Sequence, residues 1–198
     1  MAKKNTAEIG FEKEIWKAAD LLRGNLDASE YKSVVLGLIF LKYISDRFES
    51  KYQSLVEEGD GFEEDKDEYT SENIFFVPHE ARWSVVAKAA HTPEIGTIID
   101  NAMRLIEKEN LRLKGILPKN FARPELDKRR LGDVVDLFTN IQMKEHGDSK
   151  DILGRTYEYC LSKFAEAEGK LAGEFYTPAC IVQTRVEVLK PYHGRVYD

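Results

Sequence analysis

The sequence predicts a mainly α-helical protein, a helical bundle reaching to about residue 168, followed by thirty residues of different character. Apolar residues recur at steps of three and four along most of the chain, the spacing of one helix face. A single short stretch, 73–77, has the look of a strand, and nothing repeats or is of low complexity. With so little strand, packing helix on helix is the natural way to bury the apolar faces.

The first helix is expected from about Phe11 to Arg23, with Ile15, Trp16, Ala19 and Leu22 on one face and Gly24 closing it. Asp27-Ala28-Ser29-Glu30 reads as a capping box, an acidic cap with a glutamate three residues on. Behind it Val34, Leu38, Leu41, Ile44, Phe48, Tyr52 and Leu55 form one continuous stripe, which makes this second helix the longest element and the centre of the core. A glycine-punctuated acidic run comes next and reads as a solvated loop. The segment Asn73-Ile74-Phe75-Phe76-Val77 suggests a short strand ended by Pro78. Helical patterns then run from about Glu80 to Ala90 around Trp83, and again after Pro93 through Ile95, Ile98, Ile99, Met103, Leu105 and Ile106. Leu111 to Pro124 is broken by Gly115 and Pro118 and reads as an irregular connection. Glu125 to Met143 is helical, with Leu131, Val134, Val135, Leu137, Phe138 and Ile141 apolar. After a turn at His146-Gly147-Asp148, Ser149 caps a last bundle helix to about Glu168, burying Ile152, Leu153, Tyr157, Cys160, Leu161 and Phe164.

Composition fits this picture. Of 198 residues, 42% are hydrophobic and 32% charged, enough apolar material for a core in one domain, or in one domain and the start of another. No apolar run approaches the roughly 20 residues of a membrane-spanning helix. The first residues, MAKKNTAEIGFEKE, lack the apolar stretch of a secretory signal, so a cytoplasmic location is expected. Cys160 and Cys180 show no metal-ligand spacing and read as buried free thiols. The histidines, His79, His91, His146 and His193, fall in apparent loops.

Beyond Glu168 the pattern changes. Gly169-Lys170-Leu171-Ala172-Gly173 reads as a flexible linker, and Thr177-Pro178 starts a helix, a capping hydroxyl before a proline at the first helical position. That helix is expected to stop before Pro191. Gly194-Arg195-Val196-Tyr197-Asp198 then begins to look like a strand without a pairing partner, as in an αβ unit cut short before its sheet. The expected division is residues 1–168 for the helical domain and 169–198 for the linker and the truncated start of a second domain.

Net charge is −6, which argues against binding nucleic acid through the overall field. The charge is unevenly placed. Glu57 to Glu68 holds eight acidic residues and one lysine, but lacks the alternating oxygen ligands of a calcium loop. Arg112 to Arg130 holds seven basic residues against Glu125 and Asp127, a local excess of +5 that leaves −11 on the remainder. This stripe, ending in Lys128, Arg129 and Arg130, reads either as a solvated helix face with scattered ion pairs or as a row of DNA phosphate contacts. Its single aromatic, Phe121, offers little for base stacking.

Five segments carry a resemblance. They are DASEYKSVVLGLIFLKYISDRFE from Asp27, ENIFFVPHEARW from Glu72, IGTIIDNAMRLIEKEN from Ile95, LKGILPKNFARPELDKRRLGDVVDLF from Leu113, and SKDILGRTYEYCLSKFAEAEGKLAGEFYTP from Ser149. In this order, over nearly the whole chain, they resemble the modification subunits of type I restriction–modification systems. The resemblance implies a helical N-terminal domain followed by the first elements of an α/β S-adenosylmethionine-dependent methyltransferase domain, which methylates the exocyclic amine of adenine in DNA. It also implies partners: a specificity subunit that reads the sequence, a second modification subunit and a restriction subunit. The segment Glu174-Phe175-Tyr176-Thr177-Pro178-Ala179 is implied to meet the methionine part of the methyl donor. A capped helix start favours a carboxylate, and Phe175 and Tyr176 can cover apolar cofactor surface. Taken by spacing alone, the same residues only start a helix and fill a core. Ala179 departs from the basic residue usual in relatives. The glycine-rich turn and the Asn-Pro-Pro-aromatic element that clasps a flipped adenine do not occur, so these 198 residues are expected to be catalytically silent. The alternative is a non-enzymatic helical adaptor that docks proteins or DNA. The residues encoded beyond Asp198 separate the two.

Overall fold

A computed structural model describes residues 11–23, 26, 28–141, 154, 156–160, 179–190 and 194. The described helices are α1 (Glu12–Leu22), α2 (Ala28–Glu58), α3 (Lys66–Thr70), α4 (Trp83–Lys88), α5 (Ile95–Glu109), α6 (Lys128–Thr139) and α7 (Ala179–Leu189), with 3-10 turns at His79–Ala81 and Leu111–Leu113. Residues 156–160 are helical as well; Cys160 is buried there, but Tyr157, expected in the core, is 52% exposed. Among the described residues there is no strand, only an isolated bridge between Arg23 and Leu26. The mainly α prediction holds, and the bundle is built around α2.

With 31 residues, α2 extends about 46 Å at the usual rise per residue. Val34, Leu38, Leu41, Ile44, Phe48 and Leu55 of its predicted stripe are buried, joined by Val35 and Ile39. Against this spine pack α1, α4 and α6, and α5 closes the bundle against α6 and α4. The periodicity of α5 is met by Ile95, Ile99, Met103 and Ile106, which are inaccessible to solvent, while Ile98 and Leu105 are partly buried at its edge.

Three local expectations change. The acidic run is not all loop. It contains α3, capped by the side chain of Asp65 on the Asp67 N–H at 3.0 Å, and Tyr69 anchors it to the core. The Tyr69 ring stacks on Phe48 at 4.5 Å and meets Phe76 edge-on at 5.5 Å, and its hydroxyl donates to the Glu63 carbonyl. Burial pushes that phenol up to about 12. The expected strand at 73–77 does not form: Asn73 is a turn residue with φ 57°, and 74–77 belong to no strand or helix. The Asn110 side-chain amide takes the neighbouring strand's place, accepting from Phe76 N–H at 3.0 Å and donating to Phe76 C=O at 2.9 Å. The helix expected around Trp83 is split at Arg82, whose backbone is extended. There the Trp83 N–H leaves the helical ladder and donates to Ser45 Oγ at 2.6 Å. The Arg82 guanidinium lies over the rings of Phe48 and Tyr52 and donates to Glu64 at 2.6 Å.

The irregular connection between α5 and α6 is held firmly. Asp100, buried on α5, accepts from the backbone N–H groups of Phe121 and Ala122 at 2.9 and 3.1 Å. Gly96 makes this crossing possible: a Cβ there would sit 2.2 Å from the Phe121 carbonyl oxygen. Phe121 itself is fully buried.

Candidate functional site

Of the six residues expected at a cofactor, 174–178 lie outside the described residues. Ala179 is the first residue of α7. Thr177-Pro178, expected to start this helix, lie outside the described residues. The first-turn N–H groups of any such helix lack intrahelical partners and suit an anion. The described side chains of α7 are exposed, including Ile181, Val182, Val186, Val188 and Leu189.

The basic segment is described in full, and most of its cations point inward. Lys119 Nζ donates to Glu107 at 2.6 Å, and Glu107 also accepts from the Leu117 N–H at 2.8 Å. Burial pushes the Glu107 carboxyl up, but these bonds outweigh it and hold the group below its ordinary range. Arg123 donates to Glu30 of α2 at 2.7 Å, across 93 residues of chain. Lys128 Nζ donates to the carbonyl oxygens of Phe121 and Arg123 at 3.0 and 2.6 Å, and partial burial lowers its pKa. Arg130 Nη1 donates to the carbonyl oxygens of Leu21 and Arg23.

Lys128, Arg129 and Arg130 thus share the first turn of α6 but not one surface. Asp127 caps that turn, accepting from the N–H groups of Arg129 at 2.8 Å and Arg130 at 3.2 Å, and these bonds lower its pKa. The Arg129 side chain is exposed and forms no ion pair among the described residues. Periodicity could not foresee that the other two satisfy orphan carbonyls. The signal was present only indirectly, in an irregular connection rich in backbone groups that needed donors.

Two features had no place in the sequence reading. One is the Arg82–aromatic cluster described above. The other is an open cavity of about 280 Å³ between residues 66–75 and the end of α5, with Lys66, Ile74, Phe75, Asn110, Leu111 and Arg112 in its walls. No group of three or more potential metal ligands occurs among the described residues. Cys160 is a buried free thiol whose pKa burial pushes up to about 12, as expected of an inert core cysteine. His79 and His91 are exposed, and His91 Nε2 lies 2.7 Å from Asp136 Oδ2.

A mainly helical bundle, without a strand among the described residues, is the class of architecture these features define. The model of the HsdM N-terminal domain matches residues 11–138, and the chain belongs to that family. Residues 148–198 match the model described as N-6 DNA Methylase. The type I restriction enzyme MjaIX methylase subunit of Methanocaldococcus jannaschii is 37% identical, over 95% of this chain and 37% of its own length. The HindI methylase subunit of Haemophilus influenzae is also 37% identical, over 62% of this chain and 32% of its own. The chain spans about a third of the length of these relatives. A crystal structure of a type I restriction-modification system methyltransferase subunit from Streptococcus thermophilus superposes with a TM-score of 0.68 at 22% identity, covering 90% of this chain and 42% of that one. This likeness supports the fold.

Proposed function

We propose that this chain is the N-terminal part of the DNA-methylating subunit of a type I restriction–modification complex, adenine-specific and dependent on S-adenosylmethionine. The observation that carries the reading is the order of the two family matches: a helical domain over 11–138, then the beginning of an N-6 DNA methylase unit over 148–198. When bound, the cofactor supplies an activated methyl group for the exocyclic amine of adenine.

The chain's own contribution to cofactor binding is assigned to Glu174, Phe175, Tyr176, Thr177, Pro178 and Ala179. A helix started by Thr177-Pro178 fits a methionine carboxylate, because N–H groups of a first helical turn favour negative charge. Phe175 and Tyr176 add the apolar cover that the remainder of such a ligand needs. The bundle acts as a rigid holder. DNA contact through the Lys128–Arg130 turn is assigned chiefly to Arg129, since the other two side chains have carbonyl partners within the domain. The proposed partners are a specificity subunit, a second modification subunit and a restriction subunit, in the cytoplasm. No helix among the described residues is long and apolar enough to cross a membrane.

The test is transfer of a labelled methyl group to unmodified DNA by the gene's full product together with its specificity subunit. Incorporation into adenine is expected, with none from the 198-residue chain alone, since proximity of donor and acceptor needs both halves of the site. A gene lacking a glycine-rich turn and an Asn-Pro-Pro-aromatic element beyond Asp198 points instead to a helical adaptor.

A further inference from the structure

The turn between α2 and α3 presents an aromatic side chain to water. Phe62 is 52% exposed, and Val56, in the last turn of α2, is 46% exposed. The backbone around Phe62 is fixed nonetheless. Gly59 and Gly61 take left-handed φ values of 78° and 77°, and the Asp65 N–H donates to the Phe62 carbonyl at 2.9 Å. Tyr69 donates to the Glu63 carbonyl, and Arg82 to Glu64 at 2.6 Å. Charge is unevenly placed here too. Residues 49–72 hold ten acidic side chains against Lys51 and Lys66, a local −8 in a chain of net −6. Glu57 and Glu58 end α2, where the negative end of the helix dipole disfavours them, and no basic residue stands in that turn. Lys51 pairs with Glu72 at 2.8 Å, and neither glutamate belongs to an ion pair among the described residues.

We propose that this turn is a docking surface for a basic face of another protein, with Phe62 as the apolar anchor. An aromatic held outward on a fixed backbone, with charge around it, has the composition of an interface hot spot. Because its backbone is already ordered, little freedom is lost on binding. The sign of the charge decides the partner. A local −8 repels nucleic-acid phosphates and anionic lipid headgroups, and it attracts lysine and arginine. Attraction speeds the encounter, and burial of Phe62 and Val56 holds the complex. Glu57 and Glu58 oppose the helix they end, and side chains kept at a cost in stability mark a functional surface. A second copy of this chain is the poorer occupant, since a symmetric pair would set one acidic turn against the other. The turn belongs to the helical bundle, so the inference stands apart from the methylase reading.

The experiment titrates the 198-residue chain with three probes, followed by backbone amide shifts. These are a short lysine-rich peptide with two central leucines, the same peptide with serines for the leucines, and a duplex oligonucleotide. The leucine peptide is expected to shift amides within 55–68, and the serine peptide to bind roughly tenfold more weakly. Phe62→Ser is expected to weaken the leucine peptide about tenfold with an unchanged melting midpoint, because its ring lies outside the core. The double variant Glu57→Gln/Glu58→Gln separates binding from folding. It should bind several-fold more weakly yet melt about 1–3 °C higher, as charge opposing the dipole is removed. Should Phe62→Ser melt early, this second variant decides. Absence of binding at millimolar leucine peptide overturns the proposal. So does equal binding of the serine peptide, a Phe62→Ser chain that melts and binds like the parent, or a glutamine variant with no gain in midpoint. Duplex binding at this turn, or self-association of the chain through it, overturns it as well.

Discussion

Arg130 reaches from the first turn of α6 to the C-terminal end of α1, where its Nη1 lies 3.2 Å from the carbonyl oxygen of Leu21 and 3.4 Å from that of Arg23. The last carbonyls of a helix have no intrahelical donors, and a guanidinium satisfies them while complementing the negative end of the helix dipole. A residue that reads as one of three adjacent surface cations therefore buckles the first helix to the sixth.

Replacement of Arg130 by Ala is expected to lower stability by about 1–3 kcal/mol, because charged hydrogen bonds are lost and carbonyls are left without donors. Arg129→Ala should stay within about 0.5 kcal/mol, as surface substitutions usually do. Urea unfolding of both variants measures the difference, and equal midpoints would remove the buckle. A triple charge reversal at 128–130 consequently damages the fold and reports poorly on DNA binding. Arg129→Glu alone is the informative variant for that question.

Gly96 and Gly154 should respond to Ala with opposite signs. At Gly96 the new Cβ would meet backbone, the Phe121 carbonyl oxygen at 2.2 Å, and the crossing strap is tied down by Asp100 and cannot yield. Overpacking of this kind costs about 1–3 kcal/mol or more. At Gly154 no atom of the described residues beyond its own helix lies within 4 Å, so Ala gains helix propensity of roughly 0.5–1 kcal/mol. Thermal melting of both variants decides, and a Gly96→Ala protein as stable as the parent would mean that the strap is loose.

The helices of the bundle were legible because their apolar spacing is long and uninterrupted: every residue of the α2 stripe from Val34 to Phe48 is buried where periodicity put it. Shorter elements escaped for physical reasons. α3 has five residues, too few for a periodic signal, and only Asp65 and Tyr69 together hint at it. The segment at 73–77 carries the composition of a strand, but the hydrogen bonds of Phe76 go to the side chain of Asn110, 34 residues away. The basic stripe gave its charge and not its direction, since Lys128 and Arg130 find their partners through tertiary structure. The helix expected before Pro191 is present over Ala179–Leu189, while its start signal, Thr177-Pro178, lies outside the described residues.

Acidification should weaken the fold through Glu107. Its pKa is lowered in the folded state, so it contributes stability above its ordinary value of 4.5, lost as pH falls from there through the folded value. Glu107→Gln should flatten this part of the pH–stability curve and release Lys119 and the Leu117 N–H from their shared carboxylate. Urea midpoints between pH 6 and pH 3 provide the check, and parallel curves for parent and variant would assign the acid response to other carboxylates.

Cys160 should resist alkylation in the native chain. Its thiol is buried and its pKa is about 12, so the reactive thiolate is scarce at pH 8 and sheltered from reagent. Peptide mapping after iodoacetamide treatment is expected to show Cys160 unmodified until denaturant is added. Rapid native labelling would mean that the helical segment around it opens readily.

The corner at 174–179 yields the prediction closest to function. In the intact subunit Tyr176→Ala should weaken S-adenosylmethionine binding by about 1–3 kcal/mol, through lost apolar cover of the cofactor. Thr177→Ala should cost less, about 1 kcal/mol, because a lost N-cap loosens the helix start without removing its N–H groups. The order of the two effects matters more than either value. A corner that touches cofactor makes the aromatic the larger loss in binding, with Tyr176→Ala as stable as the parent when no cofactor is present. A corner that only begins a helix makes Thr177 the larger loss, visible in melting and not in binding. Calorimetric titration of cofactor into the intact subunit and both variants, paired with their melting curves, distinguishes the two. Variants that bind like the parent would make the corner purely structural and remove the cofactor assignment.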